Sequence, residues 1–189
     1  MSSRATIRAA YVQSTNLAGG YEQGPYPDEH DAALVRQAQA GNAAAFEKLA
    51  AAYDRAILGF LMALTGSEKD ALDLCHATLL SAYQGLRGRR TCSMYIWLHR
   101  VAVGQWLAWT KQAEAPGDAP ELAGTEASSR CAQALKQLSE RERLVFTLKA
   151  CQRLTLRTVA QILEESEETL GRTFTRAVCK LQLAMRESR

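Results

Sequence analysis

The chain contains no run of about 18 apolar residues, so a membrane-spanning helix and membrane insertion are not expected. Its opening residues, MSSRATIRAAYVQSTNLAGG, lack the apolar stretch of a secretory signal, and a cytoplasmic location is expected. Proline (4) and glycine (12) are sparse among 189 residues and aromatics make up 7%, whereas 47% of the chain is hydrophobic, much of it alanine. That balance disfavours sheets and suits packed helices. The five cysteines, Cys75, Cys92, Cys131, Cys151 and Cys179, lie far apart without a CxxC pair. An odd, scattered set argues against a disulfide framework. Cys75, Cys151 and Cys179 fall within helical patterns and are expected to be buried as small apolar residues. His30, His76 and His99 have no ligand-like spacing to any cysteine, so no metal and no cofactor is expected. There is no nucleophile beside a base and no glycine-rich phosphate loop. The pair Asp70/Asp73 reads as a helix surface, so no catalytic residue is assigned and the chain is not expected to be an enzyme.

What is present is segregated charge. The net charge is +3, but residues 113–129 carry four acidic residues and no basic one, whereas residues 130–189 carry twelve basic and seven acidic. A basic last third points to an anionic partner. Residues 1–27 end in AGGYEQGPYP, show no helical period and read as a flexible arm. Residues 113–129, with Leu122 as their one large aliphatic residue, cannot bury a face and read as a flexible acidic linker. Two helical modules, residues 28–112 and 130–189, flank that linker.

In the first module, Asp31 to Ala40 predicts a short helix stopped by Gly41. Asn42 can cap the next helix, in which Phe46, Leu49, Tyr53, Ile57, Leu61 and Leu64 form a core-facing stripe. Gly66 ends it. Ser67 and Asp70 resemble a capping box that opens a third helix, with Ala71, Leu74, Cys75, Thr78, Leu79, Ala82, Tyr83 and Leu86 on its apolar side. The loop GLRGRRTC leads to a fourth helix through WLHRVAVGQWLAWTK, completing a helical bundle. In the second module, Ser139 with Glu142 is a full capping box, and Thr155 and Ser166 can cap two further helices joined by Glu164-Glu165-Ser166. That spacing fits a helix-turn-helix and also an ordinary helical hairpin. The turn is unusual in its charge: Glu164, Glu165, Glu167 and Glu168 stand where a DNA reader faces phosphate.

Two stretches of the chain resemble one family, the extracytoplasmic-function type of bacterial RNA polymerase sigma factor. DAALVRQAQAGNAAAFEKLAAAYD, DALDLCHATLLSAYQGL and WLHRVAVGQWLAW are similar to its region two, and LKQLSERERLVFTL with LTLRTVAQILEESEETLGRTFTRAVCKL to its region four. The resemblance covers about residues 28–112 and 130–186, with order, spacing and linker in agreement. It implies an all-α protein of two small helical domains joined by a flexible linker. The implied activity is transcription initiation by binding core RNA polymerase and promoter DNA, commonly held in check by an anti-sigma factor.

The resemblance also places roles on residues. Asp70, Asp73 and His76 fall on the polymerase-binding helix, His76 standing for a usual glutamine and Leu72 for a usual acid. Arg87, Arg89 and Arg90 fall in the loop that engages the minus-ten element, and Arg100, Trp106, Trp109 and Lys111 on the helix that follows it. There the arginines can hold single-strand phosphates and the tryptophans can stack on unpaired bases, with one of Trp106 and Trp109 expected in the core and one exposed. Trp97 is expected in the core. Val103, Gly104 and Ala108 replace the family's usual polar residues on this helix. In region four, Thr169, Arg172, Thr173, Arg176 and Lys180 fall on the recognition helix, where Arg172, Arg176 and Lys180 repeat every four residues as one basic stripe. Gly171 and Thr173 replace frequent cations, and Glu164 replaces a turn glycine. The thinned polar set and the glutamates leave a second reading, a sigma-like interaction module that binds polymerase or an anti-sigma factor without reading promoters. A lone helix-turn-helix repressor leaves the first module unexplained.

Overall fold

The computed structural model describes residues 28–88, 93–112, 134–135 and 137–187. The arm, the acidic linker, Arg89, Arg90, Cys92 and Cys131 lie outside the described residues. The described residues are all-helical: α1 (Asp28–Gln39), α2 (Ala43–Thr65), α3 (Glu68–Gly85), a 3₁₀ turn (Leu86–Gly88), α4 (Met94–Gln112), α5 (Glu140–Phe146) running into a π turn (Thr147–Cys151), α6 (Leu156–Leu163) and α7 (Glu167–Glu187).

Local chemistry sets the boundaries. Asn42 accepts the Ala45 N–H at 3.3 Å to open α2, and Gly66, at φ 70°, closes it by donating to the Met62 carbonyl. Only a residue without Cβ adopts that left-handed turn freely. Ser67 caps α3 through the Asp70 N–H. Ser139 and Glu142 form the reciprocal capping box of α5, Thr155 caps α6 through the Thr158 N–H, and Ser166 caps α7 through the Thr169 N–H. The apolar stripe of α2 faces inward as its spacing requires: Leu49, Tyr53, Ile57, Leu61 and Leu64 are buried. A buried bond from the Tyr53 hydroxyl to the Asp31 carboxylate ties α1 to α2.

The two modules pack on one another, which the linker composition does not suggest. One apolar cluster runs from Phe46, Ile57, Leu98 and Trp106 in the first module to Leu144, Leu148, Val159, Ile162 and Leu170 in the second. A smaller one joins Ala63 of α2 to Leu135, Leu138, Phe146, Ala177 and Leu181. The contacts run between α4 and α6 and between α2 and the π turn. The cysteine expectation holds for Cys75 and Cys151, which are buried, but Cys179 is exposed on α7. Its position falls on the helix side opposite the stripe Leu170, Ala177 and Leu181, so the core has no room to claim it.

Candidate polymerase- and DNA-facing surfaces

On α3 the buried side is taken by Ala71, Leu74, Cys75, Thr78 and Ala82. Asp73 and His76 are therefore presented to solvent, while Asp70, next to the Ser67 cap, is half-buried. Acidic residues here also suit the partial positive charge of the helix start. Beside them Leu72, Leu80 and Tyr83 are exposed at 38%, 60% and 37%. With His76 they share one face at steps of four, four and three residues, an apolar stripe edged by Asp73. Tyr83 is held partly in place by Phe46, with ring centroids 4.9 Å apart. Arg87 is exposed in the 3₁₀ turn, whose Leu86 carbonyl accepts from Gln39 Nε2 at 3.1 Å.

Helix α4 corrects one expectation of the sequence. Trp106, a candidate for base stacking, is fully buried, so neither ring face is open to a base. Trp109 is half-buried against the same core, and Trp97, expected inside it, is also half-buried. Val103 is buried, so it belongs to the packing side and not to the thinned outer side. That outer side is Arg100, Gly104, Ala108 and Lys111, at helical steps of four, four and three. Gly104 and Ala108 offer nothing polar, so Arg100 and Lys111 alone carry charge there.

Arg100 is already engaged. Its Nε and one terminal nitrogen donate to the Gln161 carbonyl at 3.0 and 2.6 Å, and the other terminal nitrogen lies 2.7 Å from Glu164 Oε1. Gln161 lies in the last turn of α6 and Glu164 follows its last residue, so the contact joins the two modules. Glu164 sits at φ 56°, the left-handed conformation that glycine takes most easily, with its N–H donating to the Ala160 carbonyl.

Helix α7 is similarly self-satisfied. Thr169 is exposed, its hydroxyl 2.8 Å from Ser166 Oγ. Arg172 pairs with Glu168 one turn earlier. Thr173, placed among the DNA-facing residues by resemblance, is instead buried, and its hydroxyl donates to the Thr169 carbonyl at 2.9 Å. Lys180 turns toward α5, where its Nζ is 2.8 Å from the buried carboxylate of Glu142. Arg176 is exposed and makes no ion pair among the described residues. The stripe Arg172, Arg176 and Lys180 thus exists in position, but Arg176 is its one uncommitted cation. Arg141 pairs with Glu165.

Sequence reasoning missed the ion-pair acceptors. Glu142 was legible as a cap, but its pairing with Lys180 spans 38 residues and left no local signal. Burial works against charge on Glu142, yet the bonds from Lys180 and Ser139 outweigh it and hold its carboxyl below the usual value. His99 was also missed: it is completely buried, with Nδ1 2.9 Å from the Tyr95 carbonyl and its ring 4.1 Å from that of Tyr95. Burial pushes its pKa down to about 4. A carbonyl accepts, so Nδ1 carries the proton and Nε2 is a buried acceptor without a donor among the described residues. Among the described residues no group of three or more His, Cys, Asp or Glu side chains gathers as a metal site, and no helix is long and apolar enough to cross a membrane.

Comparison with known proteins bears on the fold. No family model matches the chain. Over 76 residues it is 32% identical to the RNA polymerase sigma-H factor of Pseudomonas aeruginosa, a match covering 40% of this chain and 39% of that protein. The fold matches CnrH, solved in complex with the cytosolic domain of CnrY, with a TM-score of 0.70 at 24% identity, covering 84% of this chain and 99% of that one. It also matches the sigma factor RpoE, solved with the anti-sigma factor NepR from Bartonella quintana, with a TM-score of 0.62 at 16% identity, covering 76% and 98%. The fold is therefore that of the all-α, two-module sigma factors. Over the matched stretch the chain is similar in sequence to a sigma factor, and that stretch spans about two fifths of the relative's length.

Proposed function

We propose that the chain is a cytoplasmic transcription initiation factor that binds core RNA polymerase and directs it to promoters. The observation carrying this reading is that one chain presents the α3 surface and a fully capped helix-turn-helix together, in a fold shared with CnrH along most of its length. Asp70, Asp73 and His76, with the apolar stripe Leu72, Leu80 and Tyr83, are the polymerase-facing set. Arg87, Arg89, Arg90, Arg100, Trp109 and Lys111 serve the minus-ten element, and Thr169, Arg172 and Arg176 the major groove, with Lys180 free to join only after leaving Glu142. An anti-sigma factor is the expected regulator, in keeping with the partner of RpoE named above. Purified chain added to core polymerase and a genomic template library should yield discrete transcripts. Folded chain that yields none counts against the reading.

A second reading, an interaction module that binds polymerase or an anti-sigma factor without reading promoters, draws on one observation. Arg100, Arg172 and Lys180 are each held by a carboxylate of the chain itself. Binding of the full chain to duplex DNA separates the two: a steep loss of affinity with added salt favours the first, and no binding at low salt the second.

A further inference from the structure

We infer that the chain carries its own closing latch: Arg100 of the first module grips the turn of the helix-turn-helix through Glu164 and the Gln161 carbonyl, masking a DNA-facing cation until nucleic-acid phosphate displaces the turn. The inference rests on the function proposed above for its DNA partner, but the latch itself is a property of the free chain.

All three guanidinium nitrogens are engaged. Nε and both terminal nitrogens have acceptors on the other module at 2.6 to 3.0 Å, so a phosphate can take the fork of Nε and its neighbouring terminal nitrogen only by displacing the Gln161 carbonyl. The acceptors are of a kind that wants a cation. The Gln161 carbonyl lies in the last turn of α6, where carbonyls have no partner within their own helix and the helix dipole places partial negative charge. The preceding carbonyl, of Ala160, is satisfied by the Glu164 and Glu165 N–H groups, whereas that of Gln161 receives its donors from Arg100. Arg100 thus completes the C-terminal cap of a helix in the other module.

Glu164 adds the element that makes the contact competitive. A carboxylate occupies a left-handed position where glycine fits with least strain, and it is that side chain which meets Arg100. Carboxylate and phosphate offer the same planar or forked acceptor pattern to arginine, so the turn stands in for the ligand. The contact lies at the rim of the apolar seam, its side chains 32% and 69% exposed, where solvent and salt reach it. The neighbouring pair Arg141–Glu165 has equal charge on the same turn but both partners within one module, so it cannot latch.

The test uses the full chain in solution, with no polymerase. Small-angle X-ray scattering should give a larger radius of gyration for Arg100→Glu than for the wild type, the buried seam limiting the opening, and recovery of the wild-type value in the swap Arg100→Glu with Glu164→Arg. Glu164→Gly, which cannot strain the turn, should loosen the chain without loss of helicity by circular dichroism, and Glu165→Gln should leave its dimensions unchanged. In low salt, Glu164→Gly should bind a random-sequence DNA duplex roughly two- to five-fold more tightly than Glu165→Gln, the size expected for removing one exposed pair. Scattering curves for Arg100→Glu and Glu164→Gly that overlay the wild type overturn the latch, as does a swap that keeps the larger radius. Loss of transcription with the latch intact would instead strike the proposed function alone.

Discussion

Lys180 Nζ lies 2.8 Å from Glu142 Oε2, joining α7 to the capping box that starts α5. The carboxylate is 4% exposed and cannot fall back on water. Replacing Lys180 with methionine should therefore lower stability by about 1–2 kcal/mol, the cost of leaving a buried charged acceptor short of one partner. Urea unfolding at pH 7 checks it. Because the folded carboxyl is held below its usual value, Glu142 stabilises the fold above the unfolded pKa and loses that contribution as pH falls through the lower folded one.

The same pairing separates two cations that the helical spacing treats alike. Arg176→Gln should flatten the salt dependence of DNA binding by about one unit of log–log slope, as expected for one lost phosphate contact. Lys180→Gln should change that slope far less, because Glu142 already occupies its charge. Fluorescence anisotropy across a salt series reads both. Equal slopes for the two variants would mean that Lys180 leaves Glu142 at no cost.

His99 makes the fold sensitive to mild acid. Its folded pKa of about 4 lies below the ordinary value of 6.5, so between these limits the unfolded chain binds more protons than the folded one. Stability then falls as pH drops from 6.5 toward 4, by about 3 kcal/mol from this group at pH 4 relative to pH 7. A His99→Phe variant, whose ring can fill the site beside Phe60 and Tyr95, should lose most of this slope. Thermal melts of both proteins at pH 7, 5.5 and 4 give the comparison.

Helix α4 separates core from surface residue by residue. Trp106→Ala should destabilise by about 3–5 kcal/mol, because the largest fully buried side chain leaves a cavity. Gly104→Ala should stabilise by roughly 0.5–1 kcal/mol, since an added Cβ at this exposed mid-helix position meets nothing within 4 Å. Chemical unfolding of each variant tests the pair.

Much of this was legible in the chain because it is local. Asn42, Ser67, Ser139, Thr155 and Ser166 announce helix starts through side-chain bonds that reach three residues ahead. The three- and four-residue spacing of Leu49, Tyr53, Ile57 and Leu61 dictates which side of α2 is buried. What escaped is contact across long sequence distance. Nothing near Trp106 distinguishes it from Trp109: which of the two turns fully inward depends on how α4 packs on its neighbours. Thr173 reads as polar, yet its hydroxyl is satisfied by the preceding turn, so the side chain can enter the core. The glutamates of the turn looked like a repulsive surface facing DNA. In the fold Glu168 meets Arg172 one turn on, a pair the helical spacing allows, but Glu164 and Glu165 meet Arg100 and Arg141, partners too far apart in sequence to be matched by inspection.

The most direct test of the account is the affinity of the full chain for core RNA polymerase in the absence of DNA. Titration of labelled chain with purified core enzyme should show saturable binding, weakened by Asp73→Lys and by Leu80→Asp on the exposed side of α3. Folded chain that fails to bind core enzyme, or binding indifferent to both substitutions, contradicts it.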